Sequence, residues 1–225
     1  MKNNYYSLKN FKNIFQKPNS KSEKVSQLLY GEKFKIISKN KNWIKIKTLY
    51  DGYLGFIKNE NFTQNYSPTH KISILKAPIF IKKDKKLIRT KNFLPFASKI
   101  SILSINKKYS KFEKKRWVRN NDIKKIDHKN EKHIQIFKSF TNTKYKWGGK
   151  SFAGIDCSGL IQIFFYYNNI YCPRDTKKQL PYFQKKNKID YKFKKNIIFW
   201  KGHVAFCCNR KNLIHAYGPK KKVVV

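Results

Sequence analysis

The chain has 225 residues, 40% of them apolar and 16% aromatic, which is enough to build a core and too many for wholesale disorder. Its formal net charge is +40, from 52 Lys and Arg against 12 Asp and Glu, but the lysines run evenly along the chain beside many Asn and Ile. That pattern fits a solvated, compositionally biased surface better than a nucleic-acid footprint, and no Gly-rich phosphate loop, RNA-binding aromatic signature or zinc-type cysteine spacing is present.

The N-terminal stretch "MKNNYYSLKNFKNIFQKPNS" is polar and lacks the apolar run of a secretory signal, and no segment has the apolar length of a membrane span. The expectation is a cytoplasmic protein whose residues 1–20 form a flexible lead-in. Short alternating runs then follow in quick succession: "KVSQLL", "KFKIISK", "WIKIKTL" and "YLGFI", with turn signals at "YGE" and at Asp51-Gly52. Four or five short strands in about forty residues predict a small all-β barrel over 21–64. A weaker echo runs over 68–127, where "LPFASKISIL" repeats the rhythm of "LLYGEKFKII" and a Trp-bearing run, "RWVRNNDI", comes near the end. The reading is an internal repeat of two barrels.

From residue 130 the pattern changes. Ile134, Phe137 and Phe140 share a helical face. "DCSGLIQIFFYYNNI" is a second helix, with Asp156 and Ser158 at its start. A third, short helix opens at Asp175 or Thr176, with Gln179 completing a capping box from Thr176. "IIFW", "HVAFCC", "LIHAY" and "KVVV" then read as antiparallel strands, so 130–225 is an α+β unit.

Chemistry concentrates there. Cys157 falls at a helix N-terminus, where unpaired N–H groups and the helix dipole lower a thiol pKa. Most lone cysteines are small buried residues, yet Cys157 stands in a polar Asp-Cys-Ser step between Gly154 and Gly159. A thiol nucleophile needs a base, and the base needs an orienting group. His203 and His215 lie on neighbouring predicted strands and fill those two roles. Cys172, Cys207 and Cys208 read as packing residues, and His70, His128 and His133 as surface residues. Neither a metal nor a cofactor is expected.

"YKWGGKSFAGIDCSGLIQIFF", "CPRDTKKQ", "GHVAF" and "LIHAYG" together resemble the NlpC-type cell-wall cysteine peptidases, a papain-like family. "LLYGEKFKI", "NWIKIKT" and "DGYLGFI" resemble a bacterial SH3-like domain. The resemblance implies two SH3-like barrels ahead of a papain-like catalytic domain. It implies Cys157 as nucleophile, His203 as base and His215 as third polar residue, with Tyr145 beside the site. Asp156 and Ser158 would hold the free amino end or the D-glutamyl part of a peptide, and Arg174 and Thr176 would line the groove. A tyrosine of the first barrel would close the site, with Tyr53 the best candidate and Glu32 a weaker one. The implied reaction is hydrolysis of γ-D-glutamyl-diamino acid bonds in peptidoglycan peptides such as L-Ala-γ-D-Glu-diaminopimelate, in muropeptide recycling. One departure is Lys195-Asn196-Ile197 where the family usually has Gly-Asp-Leu. An exported wall hydrolase and a non-catalytic cell-wall or nucleic-acid binding module are the competing readings.

Overall fold

The structure is a computed structural model and describes residues 4–60, 62–184 and 196–225. Its first part is a six-stranded sheet. The strands are β1 (Asn4–Tyr6), β2 (Phe11–Phe15), β3 (Lys24–Leu29), β4 (Lys33–Asn40), β5 (Trp43–Thr48) and β6 (Leu54–Lys58), in the order β1-β4-β5-β6-β2-β3. The period-2 pattern of "WIKIKT" explains the core here: Ile44 and Ile46 are fully buried, while Lys45 and Lys47 lie on the opposite face, half-buried and exposed. Each such isoleucine contributes about 1.5–3 kcal/mol of burial. The expected flexible lead-in is not observed, since β1 pairs with β4 and β2 with both β3 and β6. The physical reason is apolar content inside the Lys/Asn-rich text: Ile14 is fully buried, beside Phe15.

The second part holds β7 (His70–Ile72), β8 (Lys76–Lys83), β9 (Lys86–Pro95), β10 (Lys99–Ile100), β11 (Ser104–Ile105), β12 (Tyr109–Glu113), β13 (Arg116–Arg119) and β14 (Ile123–Lys125). They form a three-stranded sheet, β10-β7-β14, and a five-stranded one, β11-β12-β13-β8-β9. The sequence echo has a backbone counterpart. Gly31 and Ala97 occupy the same place in it, and both have positive φ, 72° and 65°. Gly31 N–H donates to Ser7 O and Ser7 N–H to Glu32 O; likewise Ala97 N–H donates to Ile72 O and Ile72 N–H to Ser98 O. The two turns meet, with Lys99 N–H donating to Tyr30 O at 2.8 Å. A Cβ on Gly31 would strike the Lys99 carbonyl, so glycine is required there both for its φ and for this approach.

The third part has α1 (His133–Ser139), the short hairpin β15 (Lys150–Ser151) and β16 (Gly154–Ile155), α2 (Cys157–Tyr167), α3 (Thr176–Gln184) and a four-stranded antiparallel sheet. The sheet runs β17 (Ile197–Trp200), β18 (His203–Cys207), β19 (Leu213–Tyr217) and β20 (Lys222–Val224) in sequence order. Lys195 of the departing tripeptide lies outside the described residues; Asn196 O accepts from Cys207 N–H at the foot of the sheet. Helix α2 is buried on every side, as an all-round apolar helix must be. Inward-facing Val204, Phe206, Ile214, Ala216 and Val223 join it in one core. The expected capping box is absent: the Gln179 amide instead donates to Ser158 O and Pro173 O and pins α3 to α2.

Candidate active site

Asp156 starts α2. Its backbone is extended, and its carboxylate accepts from Gly159 N–H at 2.7 Å and Gly148 N–H at 2.8 Å. Arg174 makes a two-pronged ion pair with it, at 2.9 and 2.7 Å, and also donates to Ser158 Oγ, Gly149 O and Ser26 Oγ. Arg174 is almost fully buried. The expectation that Asp156 holds a substrate ammonium is therefore corrected, because its two oxygens are already taken by a guanidinium and two amides. Gly148 shows why two glycines follow Trp147. It has a φ of 71°, and a Cβ there would strike the Lys24 carbonyl of the first sheet.

Cys157 follows as the first residue of α2 and is 5% exposed. Its Sγ lies 3.9 Å from Thr176 Oγ1, and the backbone amides of Ser158 and of Val204, the residue after His203, act to lower its pKa. The lowered thiol pKa expected from the helix end is not what results. Burial, with the Asp156 charge beside it, pushes the thiol up, and the hydrogen bonds recover only part of this. Tyr145 stands nearby, its phenol raised to about 12 by burial and by the Cys157 and Asp156 charges.

His203 Nε2 and His215 Nδ1 are 2.8 Å apart. The β18–β19 hairpin makes this pair: the two strands run antiparallel, and one face carries His203, His215 and Tyr217 together. Burial and the neighbouring His215 lower the His203 pKa below 6.5, and burial lowers that of His215. The imidazole pair is thus neutral at pH 7. Among the described residues no hydrogen bond joins Cys157 Sγ to His203.

A cavity of about 500 Å³ opens above Cys157. Asp156, Ser158, Arg174, Asp175 and Thr176 line it from the third part, with Lys177 and Lys178 at its edge. Gln16, Glu23, Val25 and Tyr53 line it from the first sheet, and Trp147 and Gly202 complete it. Tyr53 is placed by the Asp51-Gly52 turn. Thr48 Oγ1 hydrogen-bonds Asp51 and accepts from Tyr53 N–H, while Asp51 accepts from Gln162 of α2 at 2.7 Å. Tyr50 of the same turn donates to Ile170 O at 2.6 Å. Tyr53 OH then lies 3.4 Å from Asp175 Oδ1. Burial raises the pKa of both the phenol and the carboxyl.

The structure thus brings Cys157, Asp156, Ser158, Arg174, Thr176 and Tyr53 to one cavity; His203 and His215 are not among its lining residues, and Gly202, next to His203 in the chain, is. Glu32 is corrected: it is buried elsewhere, in an ion pair with Lys150 at 3.0 Å. His133 is not a plain surface residue either, since its ring packs on Phe206. Sequence reasoning missed Gln16, Glu23, Trp147, Asp175 as a cavity group, Trp200 and Tyr217. Asp175 had a signal, its place beside Arg174 in "PRDT". Glu23 had none, being one acid in a polar stretch; in the fold it accepts from Trp147 Nε1.

Comparison with known proteins agrees with this geometry. A model described as the NlpC/P60 family matches residues 142–225, and one described as a bacterial SH3 domain matches residues 10–63. Dipeptidyl-peptidase 6 of Lysinibacillus sphaericus is 25% identical over 237 aligned residues, covering 91% of this chain and 84% of that protein. The crystal structure of an NlpC/P60 family protein from Bacillus cereus ATCC 10987 superposes with a TM-score of 0.80 at 19% identity, over 98% of this chain and 93% of that one. An NlpC/P60 endopeptidase from Photobacterium damselae subsp. piscicida superposes with a TM-score of 0.62 at 14% identity, over 99% of this chain and 64% of that one. The chain carries an NlpC/P60 domain with a bacterial SH3 domain ahead of it, and it is a cysteine endopeptidase.

Proposed function

We propose that the protein hydrolyses the γ-D-glutamyl bond to a diamino acid in short peptidoglycan peptides that carry a free amino end, such as L-Ala-γ-D-Glu-diaminopimelate. The observation that carries this is the lining of the cavity: Cys157 shares it with Gln16, Glu23 and Tyr53 of the first sheet. Side chains of a second domain beside the nucleophile suit the end of a short peptide better than a continuing polymer. Asp175, with Tyr53 OH beside it, is the group placed to accept a terminal ammonium, and that charge would draw its raised carboxyl back down. A γ-linked glutamyl residue keeps its α-carboxylate, and Lys177 and Lys178 give the edge of the cavity the opposite sign.

The reaction is acyl transfer. His203 Nε2 is held by His215, so Nδ1 is the nitrogen left to take the thiol proton. The sulfur attacks the γ-carbonyl carbon, and the backbone N–H of Cys157 faces the oxyanion. The C–N bond breaks as His203 returns the proton to the leaving amine. Water, deprotonated by the same imidazole, then opens the thioester. Because the thiol is raised and His203 lowered, the resting pair is thiol and neutral imidazole, and proton transfer accompanies attack. We read residues 68–127 as a second SH3-like barrel and the peptidase domain as papain-like. The mirrored turns at Gly31 and Ala97 support the first of these readings.

Mass spectrometry of L-Ala-γ-D-Glu-meso-diaminopimelate incubated with the pure protein tests the proposal. Release of L-Ala-γ-D-Glu by wild type and none by Cys157→Ala is the expected result. Intact tripeptide after incubation with folded wild type would overturn it.

A further inference from the structure

Beyond the acyl-binding cavity, the structure holds an aromatic side chain that the reaction above does not use. Trp200 ends β17 and is 45% exposed, although its cross-strand partner is His203. Its ring centroid lies 4.8 Å from that of His203 and 6.3 Å from that of His215. On the far side Tyr217 stacks on His215 at 4.9 Å and an interplanar angle of 25°. An exposed indole beside a half-buried imidazole pair is an informative exception to ordinary surface composition. Lys201 and Gly202 join Trp200 to His203 in a tight turn. Gly202 lines the cavity, and a Cβ built on it would meet nothing within 4 Å, so the turn itself leaves open space beside it.

We propose that Trp200 is a specificity-determining residue that forms the wall of the leaving-group side and selects leaving residues with a long aliphatic side chain. This rests on the peptidase reading given above. In that reading the acyl fragment lies against Tyr53, so the leaving residue departs on the side away from it. The imidazole that protonates the leaving nitrogen belongs to His203, and the leaving residue's side chain therefore projects beside it. The large apolar surface at that place is the Trp200 indole. A chain of three or four methylenes covers the ring and removes apolar area from water on both partners. A methyl side chain reaches too little of it to gain the same affinity.

The test compares two substrates that share the L-Ala-γ-D-Glu portion. In one the leaving residue is meso-diaminopimelate, in the other L-Ala. Wild type is expected to favour the long leaving residue by about tenfold in kcat/KM, the scale of two buried methylenes. Trp200→Ala should erase that preference by raising KM for the long substrate, with the acid limb of the pH profile unmoved. Trp200→Phe should restore most of the preference. If Trp200 merely supports His203, Trp200→Ala will lower kcat for both substrates by one factor and shift the acid limb, which overturns the inference and leaves the peptidase reading standing. If folded wild type cleaves neither substrate, the peptidase reading fails and this inference fails with it.

Discussion

The first sheet and the second β-rich part share a turn geometry, yet they serve the peptidase domain in different ways. The turn at Asp51-Gly52 of the first reaches the catalytic cavity, and Gln16, Glu23, Val25 and Tyr53 become part of its wall. Of the described residues lining that cavity, none comes from 70–125. The second part instead meets the far end of α2. Phe96 stacks on Tyr167 at 4.6 Å and meets Phe140 edge-on at 5.9 Å, and the fully buried Lys71 donates to Tyr167 O at 2.5 Å. One region shapes the site and the other holds the helix that presents Cys157. A shared turn geometry acquires its role from the side chains at its contacts, not from its strands.

The largest effect should come where the first sheet, the cavity and α2 share one residue. Arg174→Met leaves the Asp156 carboxylate buried without its partner and breaks the link to Ser26. A loss of about 3–5 kcal/mol in denaturant unfolding is expected, with activity lost alongside. A loss under 1 kcal/mol would mean that the pair is dispensable. On the second part Phe96→Ala should cost about 3–5 kcal/mol as well, through a cavity beside Tyr167. The fraction that remains folded should keep the wild-type kcat/KM. An altered KM in that variant would erase the distinction between the two regions.

Tyr53→Phe on the first part is the counterpart. It removes the hydroxyl 3.4 Å from Asp175 but leaves the ring, so stability should hold while KM rises about fivefold, the value of one hydrogen bond. An unchanged KM would show that the first sheet only shields the site.

The smallest effect belongs to the hairpin, which should ignore both regions. In the proposed mechanism His203 acts as base in its neutral form, and its pKa is lowered from 6.5, so activity should persist below pH 6.5 and fail on the acid side as the ring takes a proton. His215→Asn removes the like-charge neighbour, raises the His203 pKa and should move the acid limb to higher pH by less than one unit. Phe96→Ala and Tyr53→Phe should leave that limb in place, as read from kcat/KM profiles between pH 4 and 8.

Much of this architecture was legible from residue order. The Asp156 cap placed α2 to the residue, and "HVAFCC" and "LIHAY" placed both histidines on neighbouring strands. Strands β1 and β2 were not legible, because Lys and Asn crowd the few apolar positions that enter the sheet. Asp156 was misread for a different reason. A carboxylate next to a nucleophile is chemically suited to bind an ammonium, and nothing local announces that a guanidinium eighteen residues later already occupies it.

The sequence alone determined what depends on neighbours along the chain: hydrophobic period, caps, turn residues and the identities of Cys157, His203 and His215. The tertiary structure decided what depends on distance and burial. It set the direction of the thiol pKa, through desolvation by elements far away in the chain. It also brought Glu23 and Tyr53 to the cavity wall and Trp200 to the side of His203. Electrostatics and shape act through space, so residues more than a hundred positions apart, such as Tyr53 and Asp175, can meet without any local pattern to foretell it.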